Sequence, residues 1–359
     1  MTRRDLLKGA GAAALGLAAC TTVENPSSAA KPVSPPVADL LARTVTVDIH
    51  SHAGAILKTE RLQPVAAPMR EGSLAAVGLA ITGDWGTVRK TADGRMDAYR
   101  TPAPGELYRN SRRLFARVDD LVRRDGLSII REAADFLPAG AARPGVMVSA
   151  EGGDFLDTDL DRIDEAYETH ALRLLQLTHY RVNELGDIQT APPEHGGLTD
   201  FGVAAIRRCN RLGVVVDVAH GPFDLVKRAV EVTDKPLVLS HTSLSAKPGP
   251  RSRTIGVEHA RLIASTGGVI GIWPPQTIFP DIPAYARGIA RMADAVGVDH
   301  VGIGSDQLGL PGGSAFGRYE QLPELAAALL ATGFSADEAA KIFGGNFVRA
   351  FAEVRRRAA

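Results

Sequence analysis

Eight short runs of β-forming, apolar residues recur along this chain, each followed by helical or loop sequence, and that alternation restricts the fold more than any other feature. The runs cover residues 44–50, 76–82, 145–150, 172–178, 214–219, 236–240, 268–273 and 300–304, and between them helical periodicity marks 107–124, 160–169, 201–212, 223–230, 257–264 and 285–296. Strands alternating with helices pair in parallel through right-handed crossovers. Eight such units predict an α/β chain closed into a (β/α)8 TIM-like barrel. Two extra C-terminal helices, 336–343 and 347–357, are expected on its exterior. An open doubly wound sheet is the alternative, but it normally carries a Gly-rich phosphate turn after the first strand, and His50-Ser51-His52 occupies that place.

The residues at the C-terminal ends of these strands point to chemistry. The first run ends in Asp48, His50 and His52. Residues i and i+2 of an extended segment point the same way, roughly 6.5–7 Å apart, so the two imidazoles can converge on one ion. Taken alone, the pair reads equally well as two solvated histidines at a strand end. Downstream, the third strand leads to Glu151, the fourth to His179, the fifth to Asp217 and His220, the sixth to His241 and the eighth to Asp306. Barrel enzymes place their chemistry where the C-terminal ends of the strands meet. Six of eight strand ends offering a ligand or an acid/base therefore predict a binuclear metal site. Asp48, two residues before His50, is expected to orient an imidazole rather than bind metal.

The segments Glu151-Gly152-Gly153, Leu177-Thr178-His179, Asp217-Val218-Ala219-His220, Ser240-His241-Thr242-Ser243, Gly304-Ser305-Asp306 and Gly344-Gly345-Asn346-Phe347, with Met69-Arg70-Glu71-Gly72 upstream, together resemble the renal or membrane dipeptidase family of zinc peptidases. The resemblance runs in order across nearly all of the chain beyond the N-terminal segments. It implies a (β/α)8 barrel with two zinc ions, His50 on the first, Glu151 bridging both, and His220 and His241 on the second. It further implies that His179 polarises the scissile carbonyl, Arg253 holds the substrate's C-terminal carboxylate and Asp306 handles protons near the substrate amine. Arg253 is preferred to Arg251, two residues away, by its spacing before Gly267-Gly268. One position departs from the family. Its first-strand motif is His-x-Asp, whereas this chain has His52, an imidazole ligand in place of a carboxylate. The lost negative charge is expected to weaken retention of the first metal, leaving the occupancy and identity of one ion open.

The resemblance implies hydrolysis of small dipeptides with a free C-terminal carboxylate, D-residues included. Another amidohydrolase reaction, deacylation of an N-acyl amino acid, is an alternative. A metal-binding envelope lipoprotein without catalysis is a second, against which Asp306 and His179 count, because a binding module needs no acid/base or oxyanion donor. The 41 basic and 41 acidic residues cancel, and no basic run interleaved with aromatics exists, so nucleic acid is excluded as a partner class. A dipeptide is the expected partner, with a second copy of the chain a candidate for a homodimer.

Before the barrel, Arg3-Arg4 opens a twin-arginine export signal, residues 1–20, whose Gly/Ala/Leu stretch is too short to span a membrane as a mature helix. Leu17-Ala18-Ala19-Cys20 resembles a lipobox, which places the chain in the cell envelope or periplasm, anchored by lipid on Cys20. Residues 21–39, rich in Ser, Ala and Pro, read as a disordered tether, and 40–359 as the hydrolase barrel. Cys209 then has no disulfide partner and suits a buried structural thiol. Trp85 and Trp273 read equally as cleft or core residues, His195 as solvated, and Arg355-Arg356-Arg357 as a solvated run at a helix end.

Overall fold

A computed structural model describes residues 33–356 except 58–60, 93, 141 and 142. The export motif, Cys20 and residues 21–32 lie outside the described residues. Eight strands form the barrel: β1 (Val47–Ser51), β2 (Ala76–Thr82), β3 (Gly145–Glu151), β4 (Leu172–Gln176), β5 (Val215–Asp217), β6 (Val238–Thr242), β7 (Val269–Ile272) and β8 (Val301–Ile303). Each pairs in parallel with the next in sequence, and Asp48 opposite Ile303 closes β8 onto β1. Every residue of β2 and β3 is buried, as expected of parallel strands covered on both faces. The strand ends differ from the sequence expectation by up to three residues, most at Thr44, which caps the preceding helix.

The crossover helices have local causes that the sequence carries. Helix α5 (Asp200–Leu212) starts where Thr199 accepts a hydrogen bond from the Gly202 amide and stops at Gly213, whose φ of 72° suits a residue without Cβ. Helix α8 (Ile282–Val296) is capped by the Asp281 carboxylate on the Ala284 amide. Cys209 is buried in α5, and burial pushes its thiol up to about 12, in keeping with a structural role.

Four expectations are corrected. Residues 35–39 are not tether, because α1 (Pro35–Arg43) begins there, with Val37, Leu40 and Leu41 buried at helical spacing. The helix α11 (Asn346–Arg355) does not pack on the barrel exterior. Its Phe347 and Phe351 join Phe136 beneath the inward-facing Val47, Ile49, Met147, Leu174, Val215, Val238 and Val269, closing the N-terminal end of the barrel. Arg355 is not solvated either: it donates to the Leu212 and Gly213 carbonyls at 3.1 Å and pairs with Glu132. A third C-terminal helix, α9 (Leu322–Ala331), went unpredicted because its composition is apolar on nearly all sides and gives little periodicity.

The plug generates a stability prediction. Phe351 is fully buried, so Phe351→Ala is expected to lower unfolding free energy by about 3–5 kcal/mol in urea titration. The strand-end site is expected to keep its metal affinity in the folded fraction.

Candidate metal centre

Strands deliver the site, and register shifts in β1 and β6 take part in aiming it. Between Asp48 and Ser51, β1 advances three residues while β2 advances two, from Val77 to Leu79. Likewise β6 advances from Leu239 to Thr242 while β7 advances from Ile270 to Ile272. An extra residue re-aims the side chains beside it. Val47 and Ile49 can therefore fill the barrel floor while His50 and His241 still reach the centre. The loop ends are bent as well: His220 and Asp306 hold φ of 66° and 48°, in a region that non-glycine residues seldom occupy.

Glu151 stands at the middle. Its Oε1 lies 3.4 Å from His50 Nε2, 3.2 Å from His220 Nε2 and 3.5 Å from His241 Nε2, and its Oε2 lies 3.1 Å from His52 Nε2 and 3.3 Å from His179 Nε2. Asp306 Oδ1 sits 3.5 Å from His52 Nε2 and 3.9 Å from His50 Nε2. All seven residues that the sequence pointed to at these strand ends, Asp217 aside, are brought together here and buried. Asp217 instead accepts the Ala219 and Ser240 amides, bracing the ends of β5 and β6.

The donor chemistry fits metal ions. His220 Nε2 and His241 Nε2 are 3.0 Å apart, and burial holds both imidazoles well below their ordinary pKa, so neither is charged. With both rings in the Nδ1–H tautomer the two Nε2 lone pairs face each other, an arrangement suited to a cation between them. Bonds of roughly 2.0–2.1 Å to one tetrahedral ion set neighbouring ligand atoms roughly 3.3 Å apart, close to the spacings around Glu151 Oε1. Both ring nitrogens of His50 and Nδ1 of His220 are buried without a hydrogen bond among the described residues. His52 Nδ1 lies 3.0 Å from the Ala80 carbonyl, which takes its proton and turns the Nε2 lone pair inward. Burial raises the cost of charge on Glu151, but the surrounding imidazoles outweigh it and hold the carboxyl well below its usual range. Close approach also demands Gly309, where a Cβ would stand 2.0 Å from Asp306 Oδ1.

Two residues outside the sequence expectation complete the centre. Asp84, just past β2, accepts from His179 Nδ1 at 2.8 Å and from the Tyr180 amide at 3.1 Å. Burial disfavours a charged His179, yet Asp84 and Glu151 overcome this and lift it to about 9. Gly83-Asp84 comes directly after a strand as Ser305-Asp306 does, and that placement was the available signal. Gln189 receives a hydrogen bond from Arg253 in a loop with no such signal. Arg253 is half-buried over the Trp273 ring at 5.3 Å, and its Nε–H has no protein acceptor. Asp48 is corrected: it binds the Ser305 amide at 2.8 Å and hydroxyl at 2.6 Å, with the Tyr319 hydroxyl 3.0 Å away, and makes no hydrogen bond to an imidazole.

Above this floor opens a cleft of about 330 Å3, with Arg251, Arg253 and Asp306 among its walls. Trp273 is buried in its wall and Trp85 is exposed at its rim. A larger groove, about 730 Å3, lies where α5 and α11 meet and collects none of these ligands.

The family model described as membrane dipeptidase, peptidase family M19, matches residues 109–359. The dipeptidase aclJ of Aspergillus oryzae is 31% identical over 199 residues, covering 52% of this chain and 46% of that protein. The chain thus spans about half the length of the curated relatives it matches. Among solved structures, the probable dipeptidase PvdM of Pseudomonas aeruginosa superposes with a TM-score of 0.75 at 20% identity, over 90% of this chain and 98% of that one. A metallopeptidase of Rhodobacter sphaeroides, liganded with a phosphinate mimic of the dipeptide L-Ala-D-Ala, gives 0.73 at 19% identity, over 86% and 99%. At these identities the likeness is one of fold.

The Asp84–His179 pair yields a prediction. Asp84→Asn removes the charge that orients and protonates the imidazole, so turnover of whatever substrate the centre takes is expected to fall about 10–100-fold. Bound metal, measured by elemental analysis, is expected to stay at the level of the unaltered chain.

Proposed function

The chain belongs to the membrane dipeptidase family, and from that premise we propose that it is a zinc-dependent dipeptidase acting on dipeptides with a free C-terminal carboxylate. The observation that carries this reading is the convergence of five imidazoles on the one Glu151 carboxylate beneath a cleft whose wall holds Arg253. His50 and His52 would hold one ion, His220 and His241 a second, and Glu151 would bridge them. Imidazole and carboxylate donors suit zinc, although His52 makes this set poorer in negative charge than a His-x-Asp motif would. The chemistry that zinc supplies in such a site is Lewis acidity toward a water and an amide carbonyl.

The remaining steps belong to side chains. Arg253 offers its free Nε–H and a neighbouring Nη to the substrate carboxylate, a fork that fixes the dipeptide's far end. His179, protonated and held by Asp84, donates from Nε2 to the carbonyl oxygen as negative charge grows there. Asp306, whose burial raises its pKa, accepts the proton of the attacking water and passes it to the leaving nitrogen. The mimic bound to the Rhodobacter protein makes D-residues at the C-terminal position the first substrates to compare with L-residues.

Amino-acid release from a panel of L,L- and L,D-dipeptides tests this. Release is expected that stops with a chelator and returns with zinc. Release only from N-acyl amino acids would replace the reading with the deacylase, and bound metal without any turnover would replace it with a binding protein.

We also propose that Arg3-Arg4 directs export and that Cys20 carries lipid, which the spacing of the N-terminal motifs supports. Cys20→Ala is expected to move the protein from the membrane fraction to the soluble envelope fraction. An unchanged distribution would contradict it.

A further inference from the structure

Arg251 is a cation of the cleft wall that the dipeptidase reading leaves unused. It lies in the loop between β6 and α7 (Val257–Ser265), two residues before Arg253, and lines the same cleft. Its guanidinium is exposed and has no hydrogen bond or ion pair among the described residues. Arg253 by contrast is tied to Gln189 and stacked on Trp273.

The backbone at Arg251 is unusual for its residue type. The Ser252 amide donates to the Gly249 carbonyl at 3.2 Å, closing a turn with Pro250 second and Arg251 third. Arg251 holds a φ of 58°. Proline-led turns with positive φ at the third position ordinarily carry Gly or Asn there, because a larger side chain crowds its own carbonyl. The loop is braced on both sides: Ser252 Oγ accepts the Thr254 amide at 3.0 Å, and the Ser245 amide donates to the Ile255 carbonyl at 2.9 Å. A long cationic side chain is thus held in a conformation that the turn itself would give to glycine, at the mouth of a cleft already floored with cation-binding chemistry. Nothing in the turn's own packing requires a guanidinium there.

Resting on the dipeptidase reading for the placement of the substrate, we propose that Arg251 is a specificity-determining residue that selects dipeptides whose C-terminal residue bears a second carboxylate, an aspartate- or glutamate-type side chain. Arg253 takes the α-carboxylate, and the next cation along the same loop meets the side-chain carboxylate. The two acid groups sit on one residue, as the two arginines sit on one loop. An exposed guanidinium at the rim meets an incoming anion in a charge-assisted, planar fork. An amide side chain of the same shape lacks the charge and gains little there.

The test compares Ala-Glu with Ala-Gln, in L,L and L,D forms, by two readouts on the metal-loaded chain. The first is the ratio of kcat/KM for the two substrates. The second is the ratio of dissociation constants for the matching phosphinate analogues, which needs no turnover. Both ratios are expected to favour the glutamyl compound by about tenfold or more, to collapse toward one in Arg251→Gln, to survive partly in Arg251→Lys and to invert in Arg251→Glu. A tenfold preference in binding without hydrolysis would leave the assignment of Arg251 standing and remove the hydrolytic reading. Hydrolysis with a ratio near one in the unaltered chain, a ratio that Arg251→Gln does not change, or failure of both analogues to bind would overturn the assignment.

Discussion

One buried carboxylate among five imidazoles is the constraint on which the rest of this structure depends. Glu151 ends a strand with no exposed residue and approaches five imidazole nitrogens from four strand ends or their loops, each within 3.1–3.5 Å. Burying so many polar groups is costly unless each finds a partner, and hydrogen bonds are missing among the described residues for His50 and for Nδ1 of His220. These imidazoles lie at the C-terminal mouth of the barrel, while the opposite end is filled with phenylalanine and aliphatic side chains. Metal ions held between Glu151 and the surrounding Nε2 atoms would neutralise the carboxylate and engage the inward lone pairs together. Stability of the barrel and chemistry at its mouth are therefore separated along the strands, with the plug of α11 at one end and the ligand set at the other.

The second layer explains how the ligands stay in place. Asp48 does not touch an imidazole but joins β1 to the loop after β8 through Ser305 and Tyr319, and burial lifts its carboxyl to about 6. Asp306 and His52 are thereby carried on two loops that share one buried anchor. Asp217 performs the same service between β5 and β6, next to His220 and His241. Both carboxylates act on backbone amides, so they position the loops rather than the rings. His220 and Asp306 sit in left-handed conformations that such anchoring can enforce.

Much of this was legible from residue order. The alternation of strand and helix gave eight barrel strands in sequence order, and the polar residue after each strand located the ligand set. The two-residue period failed at β1 and β6, because a bulge carries no local signature: one added residue lets Ile49 face the floor while His50 still reaches the centre. Asp48 was misjudged for the same reason. Asp84 is an acid directly after β2 and fits the pattern seen elsewhere, but no histidine stands beside it in sequence to mark it as part of a centre. α1 and α9 escaped for opposite reasons, one lying in a Pro- and Ser-rich stretch and the other too uniformly apolar to show a face. Gln189 and Arg355 act through contacts distant in sequence, which spacing alone does not reveal.

Anomalous diffraction from crystals of the zinc-loaded chain, recorded on either side of the metal absorption edge, reads the ligand set directly. Two peaks are predicted in contact with Glu151, one shared with His50 and His52 and the other with His220 and His241. A full-occupancy peak elsewhere, or no peak at Glu151 in protein that retains its fold, would contradict the assignment of this cluster as the metal centre.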